Sequence, residues 1–351
     1  MPSMLYVCLQ DADLIRAFTI DADNGRLTPA SETPTPGGPS VTALSVDAPI
    51  LYVGARGGPS LTSYRIDPRS GALSPLGIAS VPDAPTFLFP DRTGKYLLCA
   101  CYQGAAVEVY ALQPDGVVAA PAVQRIATAI GAHAIAADRS NRFVFVPHIA
   151  RVQDNVLEPP KNIPGPNMIM QFKFDSRSGQ LSANSPPQVA QAELIGPRHY
   201  TFHPTLDIVY FSNEQGCSVS AYRLDANGTL APTQTISTLP AGYSERNTCS
   251  QIHLTPSGRY LYVGNRGHNS IAGFAVDPAT GHLTAAGHVP TEAVPSAFGL
   301  DPDGKFLYAA GTASGNVASY RIDEATGALT PLTVEAVGAR PAAVTAVPLP
   351  G

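Results

Sequence analysis

Residues 255–283, TPSGRYLYVGNRGHNSIAGFAVDPATGHL, decide the fold because they hold most of a unit that recurs through the chain. The segment has two runs of β-branched and aromatic residues, separated by a short polar turn and followed by a turn of the form Asp-x-x-x-Gly-x-Leu. Such runs, bounded by Gly, Pro and Asp, are typical of strands joined by tight turns. The unit therefore predicts a small antiparallel meander.

The glycine turn recurs along the whole chain, and three of its six intervals are 45 or 46 residues long. A fixed period in this range indicates a repeat architecture. The seven copies are DADNGRL (Gly25), DPRSGAL (Gly71), PDGVV (Gly116), DSRSGQL (Gly179), DANGTL (Gly228), DPATGHL (Gly281) and DEATGAL (Gly327).

Seven four-stranded units that cannot bury both faces alone predict an all-β, seven-bladed β-propeller. Six units are complete, and a first strand is left over at the C-terminal end. We expect this strand to complete a blade that lacks its first strand, so that residues 4–32 and 341–350 form blade one. Closure of this kind removes exposed sheet edges. The prediction is a single domain, 1–351.

Bulk composition excludes several classes of function. The net charge is −5, and no basic cluster is interleaved with aromatic residues, which disfavours nucleic acid as a binding partner. No apolar run approaches the roughly 18 residues of a membrane span, and the opening residues lack a basic leader. We expect a cytoplasmic monomer or weak homo-oligomer with no membrane partner. The five cysteines lack zinc-site spacing, which predicts reduced thiols, no metal and no cofactor.

Two rings of positions should meet at one face of a propeller, since strand one begins where strand two ends. The predicted starts of strand one are Ser40, Thr86, His133, Arg198, Gln251, Ser296 and Ala342. The predicted ends of strand two are Gln10, Arg56, Tyr102, His148, Glu214, Arg266 and Thr312.

Most ionisable members of the rings fall on three successive units, which predicts an anion-binding pocket with a resident acid or base. An ion pair that only braces blade five is the alternative for Arg198 with Glu214. The predicted catalytic residues are Glu214, His133, His148 and Arg266. The predicted substrate-binding residues are Arg198, Arg266, Gln251, Arg56 and Tyr102.

Other features border this pocket or lie outside it. The insertion 151–167 follows His148 and could be a lid or a tolerated surface loop. A smaller insertion brings Tyr243, Arg246 and Asn247 to the same rim. We expect His203 and His253 to serve turns or blade contacts.

The stretches GPRHYTFHP, SNEQG and IHLTPSGRYLYVGNRGHNSIAGF resemble the propeller lactonases, a family typified by bacterial 6-phosphogluconolactonase that includes fungal carboxymuconate cycloisomerases. The resemblance covers nearly the whole chain. It implies that Arg198, Glu214, Arg266 and His133 belong to the active site. Gln251 and His148 stand where family members often carry acids, which implies a more cationic pocket and favours a carboxylated substrate.

The leading hypothesis is metal-independent hydrolysis of an anionic lactone, with arginines binding the anion and Glu214 or a histidine activating water. The second hypothesis is a cycloisomerase acting on a carboxylated muconolactone. The third is a non-catalytic propeller that serves as a platform for protein interactions. The chain has no Trp and so no recurring Trp-Asp signature, which disfavours the third.

Overall fold

The computed structural model describes residues 3–154 and 156–349. These residues form thirty strands and a single 3-10 turn, Gln10–Ala12. Seven antiparallel sheets of four strands each follow one another around a ring, and a separate two-stranded hairpin lies in the chain between the second and third strands of one of them. The prediction of an all-β, seven-bladed propeller is confirmed.

From the channel outward, blade one contains β30 (Pro341–Pro348), β1 (Ser3–Leu9), β2 (Leu14–Ile20) and β3 (Leu27–Pro34). Blade two contains β4 (Pro39–Leu44), β5 (Ile50–Ala55), β6 (Ser60–Ile66) and β7 (Leu73–Ser80). Blade three contains β8 (Phe87–Pro90), β9 (Tyr96–Cys101), β10 (Ala106–Leu112) and β11 (Val118–Ala127). Blade four contains β12 (Ala136–Ala137), β13 (Phe143–His148), β16 (Met168–Asp175) and β17 (Gln180–Ala190).

Blade five contains β18 (Pro197–Phe202), β19 (Ile208–Asn213), β20 (Ser218–Leu224) and β21 (Leu230–Ser237). Blade six contains β22 (Cys249–Leu254), β23 (Tyr260–Asn265), β24 (Ser270–Val276) and β25 (Leu283–Pro290). Blade seven contains β26 (Pro295–Leu300), β27 (Phe306–Gly311), β28 (Asn316–Ile322) and β29 (Leu329–Ala336). The separate hairpin is β14 (Arg151–Val152) with β15 (Ile163–Pro164).

The ring closes where the two ends of the chain meet in blade one. Strand β30 pairs antiparallel with β1, from Ser3 opposite Pro348 to Val7 opposite Val344. On its faces β30 packs against the inner strands β26 and β4 of the neighbouring blades. The predicted closure by the terminal strands is confirmed; position 350 of the predicted range lies outside the described residues.

Blade four departs from the repeat in its first strand. We expected a full first strand starting at His133, but regular pairing is limited to the two residues of β12 and one isolated bridge from Ala132 to His148. The amide of His133 donates to the carbonyl of Pro147 over 3.0 Å. Pro147 has no N–H to return, so the ladder is broken at this point.

The core consists of seven clusters of buried apolar side chains, and each cluster lies between two neighbouring blades. The recurring glycine turn is part of this packing. Gly327 has φ of +72°, and a Cβ there would lie 2.2 Å from the ring of Tyr260 on the preceding blade. The hydroxyl of Tyr262 donates to the Gly327 carbonyl over 2.7 Å. The repeat motif therefore marks a contact between blades.

The same hydrogen bond recurs in the ring, always from a tyrosine in strand two to the turn glycine of the next blade. The further pairs are Tyr6 with Gly71 (2.7 Å), Tyr210 with Gly281 (2.6 Å) and Tyr308 with Gly25 (3.0 Å). The last pair joins blade seven to blade one, so the contact also spans the closure.

We expect Gly327→Ala to lower the free energy of unfolding by about 2–4 kcal/mol, because left-handed backbone strain adds to a steric clash in a packed interface. The matched control is Gly242→Ala. Gly242 has φ of +82° but no atom within 4 Å of an added Cβ, so only the strain of about 1 kcal/mol applies. Urea unfolding of both variants measures the difference; equal losses would contradict the interblade contact.

Candidate active site

The central channel contains a cavity of about 900 Å³. Residues at the starts of the inner strands and residues at the ends of the second strands both contribute to its wall, as the two rings of positions in the sequence predict. The structure brings together most of the predicted site residues here: His133, Arg198, Glu214, Gln251, Arg266, Arg56 and Tyr102.

Three charged side chains on blades five and six form the centre of one wall. Nε of Arg198 lies 3.1 Å from Oε2 of Glu214, and a terminal nitrogen of Arg266 donates to Oε1 of the same carboxylate. The same Arg266 nitrogen also donates to the carbonyl of Cys249 over 3.0 Å. Both carboxylate oxygens of Glu214 thus face guanidinium groups.

This cluster carries one positive charge in excess and is almost closed to solvent, since the side chains of Arg198, Glu214 and Arg266 are 9%, 4% and 11% exposed. Burial lowers the pKa of Arg198 to about 10, against the opposing effect of Glu214. The guanidinium remains protonated at neutral pH. One terminal nitrogen of Arg198 and Nε of Arg266 have no hydrogen-bond acceptor among the described residues, whereas Nε of Arg198 is ion-paired with Glu214.

His133 and His199 lie beside this cluster. Their rings contact edge to face, with centroids 5.1 Å apart, and His133 also contacts the ring of Tyr102. Burial, followed by the charge of Arg198, lowers the pKa of both histidines well below the usual range. Both imidazoles are therefore neutral at pH 7. Nδ1 of His133 and Nε2 of His199 have no hydrogen-bond partner in the described chain.

Sequence reasoning missed His199, which adjoins Arg198. Successive residues of a regular strand point to opposite faces, so one of the two should turn away from the channel. The register of β18 against β19 shifts between Pro197 and Tyr200. This bulge allows both Arg198 and His199 to line the cavity.

The prediction that places His148 at the channel mouth is wrong. In every blade the residue that directly follows strand two lines the cavity. In blade four, strand β13 ends at His148, so this residue is Ile149, one position after the predicted one. His148 is 0% exposed, and its Nδ1 donates to the carbonyl of Val146 over 3.1 Å. A shift of one residue along a strand exchanges its two faces.

We expected His253 to serve a turn or a blade contact, but the structure places it in the cavity wall. It lies two residues after Gln251 on β22 and therefore shares its face. Oε1 of Gln251 lies 3.3 Å from Nε2 of His253 and accepts a hydrogen bond from the amide of Phe298 over 3.0 Å. His203 behaves as expected, since its Nδ1 accepts the amide of Leu206 in a turn.

The described residues of insertion 151–167 fold over the cavity. Gln153, Asp154 and residues 156–158 contribute to its lining, and the amide of Gln153 donates to the hydroxyl of Tyr102 over 3.0 Å. Arg246 of the second insertion binds the carboxylate of Asp154 over 2.5 Å. The two insertions predicted at the rim are therefore joined to each other.

Metal-ligating atoms come close together at one group in the described ranges, Cys99, Cys101 and Glu108. None of these residues lines the cavity. Glu108 is already paired with Arg125 over 3.1 Å and with the hydroxyl of Tyr110. All five cysteines are free thiols, as predicted. Our expectation of a metal-free site stays a prediction.

No helix among the described residues has the length and apolar character needed to span a bilayer.

A family model described as "Lactonase, 7-bladed beta-propeller" matches residues 3–346. The chain belongs to the seven-bladed β-propeller lactonase family, which confirms the resemblance drawn from its sequence motifs.

Two curated relatives named 6-phosphogluconolactonase are similar along most of their length. That of Pectobacterium carotovorum subsp. carotovorum (strain PC1) is 33% identical over 301 residues, covering 86% of this chain and 85% of the relative. That of Yersinia pestis (strain Pestoides F) is 33% identical over 302 residues, covering 86% and 84%.

Solved structures share the fold. The periplasmic gluconolactonase of Pseudomonas aeruginosa superposes with a TM-score of 0.88 at 24% identity and covers 100% of both chains. A protein from Lactobacillus plantarum gives a TM-score of 0.86 at 23% identity, covering 99% of this chain and 100% of its own. Because one of these proteins is periplasmic, the cytoplasmic location stays a prediction, as does the oligomeric state.

We expect His148→Gln to reduce the loss of stability in mild acid. Burial lowers the pKa of His148 to about 4, whereas an unfolded histidine titrates near ~6.5. Below the pKa of the unfolded histidine, protons bind the unfolded chain in preference to the folded one, so the free energy of unfolding falls as the pH falls. Above that pKa, His148 contributes nothing to the pH dependence of stability. The variant should recover about 2 kcal/mol of the stability lost between pH 7.5 and 5.

Urea unfolding at both pH values measures this change, and His282→Gln, an exposed position, is the control. An identical pH dependence in the wild type and in His148→Gln would contradict a neutral, buried His148.

Proposed function

We propose that this protein hydrolyses a lactone that carries an anionic group. The observation that carries the proposal is the charge of the cavity wall, set against a chain whose net charge is −5. Six cationic side chains line the cavity: Arg56, Arg92, Lys161, Arg198, Arg266 and Arg340. Three carboxylates line it: Asp154, Glu158 and Glu214. A concave site of one sign concentrates ligands of the opposite sign.

Arg198 and Arg266 suit the chemistry of ester cleavage. Hydrolysis develops negative charge on the carbonyl oxygen, and fixed donors in a water-poor site stabilise that charge. A terminal nitrogen of Arg198 and Nε of Arg266 supply such donors without reorganisation, because Glu214 already holds the two guanidiniums in place. We therefore assign Glu214 to positioning rather than to proton transfer.

His133 is the base that this geometry favours. Its imidazole is neutral, and Nδ1 lacks a partner in the described chain. In the proposed step, His133 takes a proton from water as the water oxygen attacks the carbonyl carbon. The ring C–O bond then breaks, and the imidazolium returns the proton to the ring oxygen, which leaves a hydroxy acid. The ring of His199 contacts the His133 ring edge to face.

The relatives named 6-phosphogluconolactonase support a hydrolase and suggest 6-phosphogluconolactone as the first substrate to test. They give no support to the cycloisomerase alternative. The non-catalytic alternative predicts that the wild type hydrolyses no lactone, so substitutions in the cavity would change no activity.

We expect His133→Asn to lower kcat for lactone hydrolysis by about 10²–10⁴-fold, the usual contribution of a general base. Assays should use 6-phosphogluconolactone, gluconolactone and a carboxymuconolactone, each corrected for spontaneous hydrolysis. His282→Asn removes a solvent-exposed imidazole and is the control. Unchanged turnover in His133→Asn would contradict its role as the base.

The pH profile gives a second readout for His133. A base works only when it is unprotonated, and burial lowers the pKa of His133. The acid limb of kcat/KM should therefore lie below the ordinary histidine value of about 6.5. A limb at or above that value would contradict the assignment.

We expect Glu214→Gln to lower kcat/KM by about 10–100-fold, because two guanidiniums lose the charge that holds them together. Since Glu214 positions the arginines that bind substrate, KM should rise as well as kcat fall. Glu324→Gln, at an exposed turn, is the control. A loss confined to kcat, equal to that of His133→Asn, would instead make Glu214 the base.

A further inference from the structure

Two cysteine thiols lie next to each other at the junction of blades five and six. Cys217 belongs to the turn between β19 and β20, and Cys249 is the first residue of β22. Cys217 packs against the apolar cluster that contains Cys249, and the two thiols hydrogen-bond to each other. Cys217 is half-buried, whereas Cys249 is fully buried. A small reagent in solution can therefore reach Cys217 first.

Cys249 is a departure from the repeat. The residue that starts the first strand, opposite the end of the second strand, is a proline in four other blades: Pro39, Pro197, Pro295 and Pro341. The amide of Cys249 donates to the carbonyl of Glu214 over 2.9 Å, and proline has no amide hydrogen to make this bond. The backbone bond thus explains why no proline occurs here. The thiol makes a further contact, which is the one with Cys217.

The surroundings of Cys217 make it the reactive member of the pair. Its neutral thiol donates to the carbonyl of Asn247 over 3.2 Å, and the side-chain amide of Asn247 donates to its sulfur over 3.4 Å. The hydrogen bond with Cys249, then that with Asn247 and the charge of Arg266, lower the pKa of Cys217 against the effect of burial. Burial raises the pKa of Cys249 well above its usual range. Since the thiolate is the nucleophile, oxidation should begin at Cys217.

The thiol pair is joined to the active-site wall through the backbone. The carbonyl of Cys249 accepts a terminal nitrogen of Arg266 over 3.0 Å, and its amide binds the carbonyl of Glu214. Glu214 lies three residues before Cys217 in the same turn. A movement of either cysteine therefore reaches both members of the ion pair between Glu214 and Arg266.

We propose that Cys217 and Cys249 form a peroxide-sensitive thiol pair, in which oxidation links the two cysteines by a disulfide and lowers the activity of the adjoining site. The Cys217 thiolate attacks one oxygen of hydrogen peroxide, the O–O bond breaks, and a sulfenic acid and hydroxide form. The sulfur of Cys249 then attacks the sulfenic sulfur, the S–O bond breaks, and water leaves with the Cys249 proton. The hydroxide takes up the proton first lost by Cys217, so one peroxide becomes two water molecules.

The disulfide changes the reaction centre without touching the substrate. Formation of the bond draws the two sulfur atoms from contact to bonding distance. This moves the backbone segments that hold Glu214 and Arg266, and a displacement of about 1 Å in an active site can lower the rate by about 10²-fold. The effect on activity rests on the proposed function, whereas formation of the disulfide does not.

Mass spectrometry of tryptic peptides tests the disulfide without a lactone. After hydrogen peroxide treatment of the native wild type and blocking of the remaining thiols, we expect peptide 199–223 to be linked to peptide 247–259. Dithiothreitol should separate them. In Cys249→Ala, Cys217 should instead persist as a sulfenic acid that dimedone traps. A Cys217 that stays reduced in the wild type, or a sulfenic acid equally persistent in the wild type and in Cys249→Ala, would overturn the pair.

The chain contains a matched internal control. The sulfur atoms of Cys99 and Cys101 are 3.7 Å apart, but both residues are fully buried. This pair should stay reduced under the conditions that link Cys217 to Cys249. Equal oxidation of the two pairs would overturn the claim that the surroundings of Cys217 select it.

Lactone hydrolysis tests the effect on the active site. Oxidation should lower kcat/KM of the wild type by about 10–100-fold, and dithiothreitol should restore it. Cys217→Ser should keep its activity under the same peroxide treatment. Linked peptides with unchanged turnover would overturn the effect on the active site. If the link forms but the untreated wild type hydrolyses no lactone, the thiol pair stands and the proposed function fails.

Discussion

The rest of the molecule depends on one constraint, which is the contact between the glycine of each recurring glycine turn and the neighbouring blade. At Gly327 the backbone is left-handed and the ring of Tyr260 occupies the space that a Cβ would need. Because the same contact repeats around the ring, the angle between blades is fixed, and the seventh step brings β30 to the free edge of β1. The width of the channel follows from this angle.

The active-site wall is a consequence of that ring. Residues directly after the second strands line the cavity whatever their chemistry, so the side chains at these positions set the chemistry of its wall. Blades five and six place Glu214 and Arg266 there. The bulge in β18 then adds two side chains, Arg198 and His199, where a regular strand would offer one.

Much of this could be predicted from the sequence, because the repeat fixes both the fold and the register of the blades. Glycine spacing predicted the propeller and its closure, and register predicted the cavity positions of Glu214 and Arg266. The prediction was wrong at His148 because blade four was aligned one residue out of register: β13 has six residues, as β9 has, and the position after it is Ile149. It missed His199, since a bulge leaves no mark in an alternating pattern, whereas the period of two from Gln251 could have revealed His253.

The charge of the cavity wall supports the proposed function, since Arg198 and Arg266 line the cavity and Glu214 holds both of them. The most direct test of this account is a crystal structure of the protein soaked with 6-phosphogluconate. The account predicts the product carboxylate against Arg198 and Arg266, within hydrogen-bond reach of His133. A product bound elsewhere, or a cavity empty at saturating concentration, would contradict the claim that this channel is the active site.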